Sequence, residues 1–166
     1  MIMLKFEDTN VGFEEIPERV SLNIFITNCP FTCEGCHSPE LREDFGTELT
    51  ISALEDLLVK NQGVNCVTFM GDGQDPEGIV KLGAYIKDTH PSLDTAVYSG
   101  RTVYSNYFKT FDFIKLGGYK EECGALGSRT TNQRMYKKCG SDYKDVTADF
   151  WAIYNRVYEV SKITTS

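Results

Sequence analysis

Cys29, Cys33 and Cys36 stand in a C-x3-C-x2-C spacing, whereas Cys66, Cys123 and Cys139 are scattered along the chain. Thiolates gathered in one short loop bind soft metals, either zinc or iron–sulfur. Three are one short of a closed site, and a [4Fe–4S] cluster held by three cysteines leaves one iron without a protein ligand, open to a substrate or cofactor. The competing reading is a structural zinc site with His37 as fourth ligand. Zinc sites usually tie two separated ligand pairs together, and here His37 follows directly on Cys36 in one crowded loop, so the spacing favours iron–sulfur. Cys66 lies in an apolar run and reads as a small core residue. For Cys123 and Cys139 a further metal pair and no role at all both stay open.

The loop has to be held by something. SLNIFIT, Ser21 to Thr27, alternates Leu22, Ile24 and Ile26 against Asn23, Phe25 and Thr27, the period of a strand, and ends at Cys29. Pro30, Gly35 and Pro39 make a helix through the cysteine loop improbable. Ser52 with Glu55 resembles a capping box, and Ile51, Leu54, Leu57 and Leu58 keep helical spacing to about Lys60. Asn65 to Met70 reads as a second strand, and a helix starts near Pro76 and Glu77 with Ile79, Leu82 and Ile86 on one side. Thr95 to Gly100 and Phe111 to Gly118 read as two more strands, with a short helix between them. This alternation predicts an α/β fold, a partial, open (β/α) barrel of mostly parallel strands. Tyr119 to Asp149 carries turn signals but no clear element. In the tail, Trp151, Tyr154 and Tyr158 are spaced like a helix face, and Val157 to Val160 also suits an edge strand.

Composition narrows the chemistry. The 166 residues hold 17 Lys and Arg against 24 Asp and Glu, a net charge of −7 with a pI near 4.9. That balance argues against a phosphate-binding face, so no nucleic acid is expected as a partner. No stretch approaches the roughly 18 apolar residues of a membrane span, and the first 15 residues acquire acids before a signal core could form, which predicts a cytoplasmic chain with no membrane contact. A reducing compartment turns cysteines toward metal or catalysis rather than disulfides. Hydrophobic residues at 41% are enough for one compact domain spanning 1–166.

C-x3-C-x2-C after a first strand is similar to the signature of radical S-adenosylmethionine enzymes. CPFTCEGCHSPEL, FMGDGQDPE, VYSGRT, FIKLGGY and especially TTNQRMYK followed by DVTADFW resemble, within that superfamily, the activating proteins of anaerobic ribonucleoside-triphosphate reductases. The resemblance runs from about Ser21 to Trp151. It implies a [4Fe–4S] cluster on Cys29, Cys33 and Cys36, and S-adenosylmethionine chelated by the open iron and cleaved to a 5′-deoxyadenosyl radical. The implied target is a glycine Cα–H on the reductase large subunit, and the implied electron donor is a protein such as flavodoxin or ferredoxin. No catalytic residue beyond the cluster is implied.

Gly71, Asp72 and Gly73 match in position the Gly-Gly-Glu motif that receives the cofactor's ammonium in that superfamily; the order here is Gly-Asp-Gly, followed by Gln74 and Asp75. Read alone, these residues form a turn. Ser99 and Gly100 match a strand end near the cofactor's carboxylate or ribose. Lys115 sits in an apolar run, where a lysine is costly to bury unless its charge is paired. Pairing with the cofactor carboxylate is one reading, and a place on the solvent side of an edge strand is the other. Thr131, Asn132, Gln133 and Arg134 are implied as cofactor or partner contacts; on polarity alone they are a solvated loop. An activase for another glycyl-radical enzyme, or a small-molecule radical enzyme, would share the cysteine loop but not TTNQRMYK. A noncatalytic zinc-binding module is the third reading.

Overall fold

The computed structural model describes residues 3–151, and its backbone is organised by one eight-stranded sheet. The strands are β1 (Lys5–Gly12), β2 (Ser21–Ile26), β3 (Thr47–Glu48), β4 (Cys66–Met70), β5 (Asp94–Tyr98), β6 (Phe113–Leu116), β7 (Arg134–Cys139) and β8 (Asp142–Asp145), in the spatial order β3-β1-β2-β4-β5-β6-β7-β8. Two α-helices, α1 (Ile51–Lys60) and α2 (Pro76–Thr89), two 3-10 turns, Pro39–Arg42 and Ser105–Lys109, and a helical stretch at residues 147–151 are also described.

The predicted mostly parallel (β/α) barrel is not what the chain forms. Parallel pairing is confined to the centre, β2 with β4, β4 with β5 and β5 with β6. The other four pairings are antiparallel: β1 with β2 and β3, β6 with β7, and β7 with β8. The sheet is therefore mixed, with few helices. The flanking strands escaped the sequence reading because β1, β7 and β8 are largely exposed or half-buried, so their alternation is weak. The two predictions on the tail involve Tyr154, Tyr158 and residues 157–160, which lie outside the described residues.

Local physics explains the helices. Thr50 caps α1 by accepting from the Ala53 N–H at 3.0 Å, so the cap falls two residues before the predicted Ser52. Asp75 caps α2 by accepting from the Gly78 N–H at 2.9 Å, with Pro76 in the first turn where its missing N–H is harmless. Both helices lie on one face of the sheet. Leu54 and Leu58 of α1 and Ile79, Leu82 and Ile86 of α2 pack there with Leu22, Ile24, Ile26, Val67, Phe69, Val97 and Ile114. Each such buried side chain contributes about 1.5–3 kcal/mol. The opposite face carries Ser21, Asn23, Cys66, Thr68, Ala96, Tyr98, Phe113 and Lys115, because strand side chains alternate. Among the described residues no helix is long and apolar enough to cross a membrane.

Candidate functional site

The cysteine loop leaves the carboxyl end of β2, next to the loops that leave β4, β5 and β6. Backbone contacts pin it at its start: the Asn28 N–H donates to the Glu43 carbonyl at 3.0 Å and the Cys29 N–H to the Leu41 carbonyl at 2.9 Å. A turn from the Cys36 N–H to the Cys33 carbonyl closes its end, and Arg42 Nη2 donates to that same carbonyl at 2.8 Å. Cys29, Cys33 and Cys36 are free thiols, all half-buried. Burial pushes the Cys29 thiol up, and the negative charges of Asp72, Cys33 and Cys36 add to the rise, so a metal bound there must displace a proton.

Two glycines let neighbouring loops close on it. A Cβ at Gly118 would stand 3.1 Å from Cys33 Sγ, and one at Gly100 would stand 2.7 Å from the Phe31 ring. Beside Cys33 opens a cavity of about 800 Å³, lined by Phe31, Cys33, Gly100, Gly117, Gly118 and Asn132 among others. That volume lies in the range of small-molecule pockets.

Asp72 turns inward rather than into this cavity. It is 2% exposed, and its Oδ2 accepts from Ser99 Oγ at 2.6 Å, Tyr107 OH at 2.6 Å and Arg101 Nε at 3.1 Å. Burial beside that carboxylate raises the Tyr107 phenol well above its ordinary value. Arg101 in turn lies 5.8 Å from the centre of the Phe31 ring, within the cysteine loop. The buried acid thus braces the cysteine loop through a guanidinium and a ring. Gly71 and Gly73 form the left-handed turn around Asp72. Gln74 bonds Asn28, and Asp75 is the helix cap.

Lys115 is buried in a central strand, not on a solvent edge, because β6 lies between β5 and β7. Its Nζ donates to the Gly117 carbonyl at 2.9 Å and lies 5.6 Å from the centre of the Tyr98 ring. It forms no ion pair among the described residues. Burial draws its pKa down to about 8, while the charges of Cys33, Asp72 and Cys29 pull the other way.

The segment before β7 braces the Gly117–Gly118 turn. Gln133 Nε2 donates to the Gly117 carbonyl at 3.2 Å and Asn132 Nδ2 to the Gly118 carbonyl at 2.9 Å. Thr131 is buried and accepts from the Gln133 N–H, whereas Arg134 is exposed. Asn132 Oδ1 is buried with no partner among the described residues. Of the predicted residues, Cys33, Gly100, Asn132 and Arg134 line the cavity, and Asp72, Ser99, Thr131 and Gln133 stand behind it as buried supports.

Sequence reasoning missed Arg42, Arg101 and Tyr107. The only available signal for the two arginines was a cation within a few residues of a predicted site, which is common on any surface. Cys66 is buried as predicted, with burial pushing its thiol up to about 12, and Cys139 is exposed.

Among the described residues no three His, Cys, Asp or Glu side chains gather closely enough for one metal ion. Ligands of a single zinc crowd one point at ~2.3 Å, whereas cluster thiolates bind separate irons and need not meet. Cys29, Cys33 and Cys36 share one clamped loop with Cys33 at the cavity wall, and their chemistry is that of soft-metal ligands. No protein-family model, curated protein or solved structure matches the chain.

Proposed function

We propose that this protein is an activase that uses a [4Fe–4S] cluster on Cys29, Cys33 and Cys36, together with S-adenosylmethionine, to generate a glycyl radical on the large subunit of an anaerobic ribonucleoside-triphosphate reductase. The observation that carries the proposal is the clamped three-thiol loop opening onto a cavity of about 800 Å³. The motifs TTNQRMYK and DVTADFW support the choice of partner by resemblance. Held by Cys29, Cys33 and Cys36, a reduced cluster would supply the one electron needed to split S-adenosylmethionine into methionine and a 5′-deoxyadenosyl radical.

The chain's own residues do the rest. Arg42, and Phe31 backed by Arg101 and Asp72, orient the thiol loop. Gly100 and Gly118 keep the adjoining walls thin. Lys115, buried with no ion pair among the described residues, offers its ammonium to the carboxylate of S-adenosylmethionine, and pairing would lift its pKa back toward the ordinary value. Asn132 Oδ1 offers a buried acceptor at the cavity wall. Flavodoxin or ferredoxin is the proposed class of electron donor.

The test is anaerobic reconstitution with iron and sulfide, followed by reduction with S-adenosylmethionine and a candidate reductase. The expected result is broad absorbance near 400 nm, release of 5′-deoxyadenosine, and a glycyl doublet by electron paramagnetic resonance, all lost in Cys33→Ala. Colourless protein would refute the cluster. Cofactor cleavage with no doublet on any ribonucleotide reductase would instead point to a different glycyl-radical partner.

A further inference from the structure

Arg42 leaves the 3-10 turn that follows the cysteine loop and folds back over it. One end of its guanidinium holds the Cys33 carbonyl at 2.8 Å, while its Nε–H is buried with no partner among the described residues. It forms no ion pair among those residues. The chain on either side is anchored to the start of the same loop, Leu41 by the Cys29 N–H and Glu43 by the Asn28 N–H. Arginine keeps its proton at any ordinary pH. A cation with a buried, unused donor and no ion-pair partner among the described residues is costly unless a further acceptor completes it. The carbonyl that the other end of the guanidinium holds belongs to Cys33, one of the three thiols of the loop.

We propose that Arg42 donates its Nε hydrogen bond to a sulfur of the iron–sulfur centre, a bridging sulfide or a ligating thiolate, and thereby raises the reduction potential of that centre. This rests on the iron–sulfur reading above. Reduction adds negative charge, and a permanent cation with a directed donor stabilises the reduced form more than the oxidised one. Arg42 is in this sense a positioning residue, since it acts on the centre and not on substrate.

The test compares reconstituted wild type, Arg42→Lys and Arg42→Met by potentiometric titration of the reduced-cluster signal, with iron and sulfide measured per chain. At equal iron content the potential becomes more negative in Arg42→Met, with Arg42→Lys between the two because it keeps the charge and loses the fork. An unchanged potential overturns the proposal. So does a fall in iron content with the remaining clusters at the wild-type potential, because that is what a mere clamp on the Cys33 carbonyl would give. Pulsed resonance on protein labelled with guanidino-¹⁵N arginine leaves Arg42 itself in place: a nitrogen coupling that persists in Arg101→Lys is expected, and its absence overturns the role of Arg42. Wild type that stays colourless refutes the cluster itself, an outcome distinct from a coloured protein with an unmoved potential.

Discussion

The two faces of the central strands differ in what they are made of and in what they support. Toward the helices, Leu22, Ile24, Val67, Phe69, Val97 and Ile114 form an apolar layer, with Phe111 edge-on to Phe69 at 6.1 Å. Away from them, the same strands bury Ser21, Asn23, Thr68 and Lys115. Those polar groups are satisfied locally: Ser21 Oγ bonds Thr68 Oγ1 at 2.6 Å and Asn23 at 3.0 Å, Asn23 bonds Asn10 at 2.9 Å, and Tyr98 OH donates to the Glu15 carbonyl. The same face also carries an apolar cluster in which Cys66, Ala96 and Phe113 pack with Ile16, Leu126, Met135 and Phe150. The helix face is largely apolar, whereas the opposite face mixes an apolar cluster with buried, hydrogen-bonded polar groups.

The largest test of that contrast is Phe69→Ala, which should destabilise the chain by about 3–5 kcal/mol in urea denaturation through a cavity beneath α2. An equal loss from a residue of the polar face would erase the distinction. Lys115→Met should act with the opposite sign. The folded pKa of Lys115, about 8, lies below its ordinary value of 10.5, so the folded chain binds fewer protons and stability rises with pH across that window. Removing the ammonium should stabilise the ligand-free protein by about 3 kcal/mol at pH 7. The gain should fade from pH 8 to 10.5 in denaturation series. The same variant should bind S-adenosylmethionine more weakly by calorimetry, and unchanged affinity would remove Lys115 from the site.

Thr68→Val should have a smaller effect, costing about 1 kcal/mol, because Ser21 keeps Asn23 as a partner when the Thr68 hydroxyl is gone. The smallest effect belongs to the outer surface of the helix layer, where Tyr85 and His90 bond Glu55 at 2.6 and 2.8 Å and hold its carboxyl below 4.5. A depressed carboxylate contributes stability above its unfolded value and loses it as pH falls through the folded one. The stability difference between wild type and Glu55→Gln should therefore be present at neutral pH and shrink below pH 4.5. A difference that persists in acid would mean that the carboxylate charge is not what matters.

The thiol trio, the four central strands and both helices were legible in the chain because each is written in a few neighbouring residues: a spacing of cysteines, an alternation, a Pro after a capping acid. The element bounds differ from the predicted ones by one or two residues, as with Thr50 in place of Ser52. Pairing direction was not legible. Strands such as KFEDTNVG and RMYKKC bury at most one side, so their pattern is too weak to reveal two antiparallel flanks. Lys115 illustrates the same limit at the site, since only its position between β5 and β7 separates burial from a solvent edge.

The order of residue types along the chain was enough to specify three cysteines in one loop after a strand, the feature on which the proposed metal chemistry rests. It could not specify that Asp72 turns inward to Ser99, Tyr107 and Arg101, or that Arg42 folds back onto Cys33 with a donor to spare. Those outcomes depend on loops from different strands meeting at one end of the sheet. Such meetings are decided by burial and hydrogen bonding between residues far apart in the chain, which no local pattern encodes.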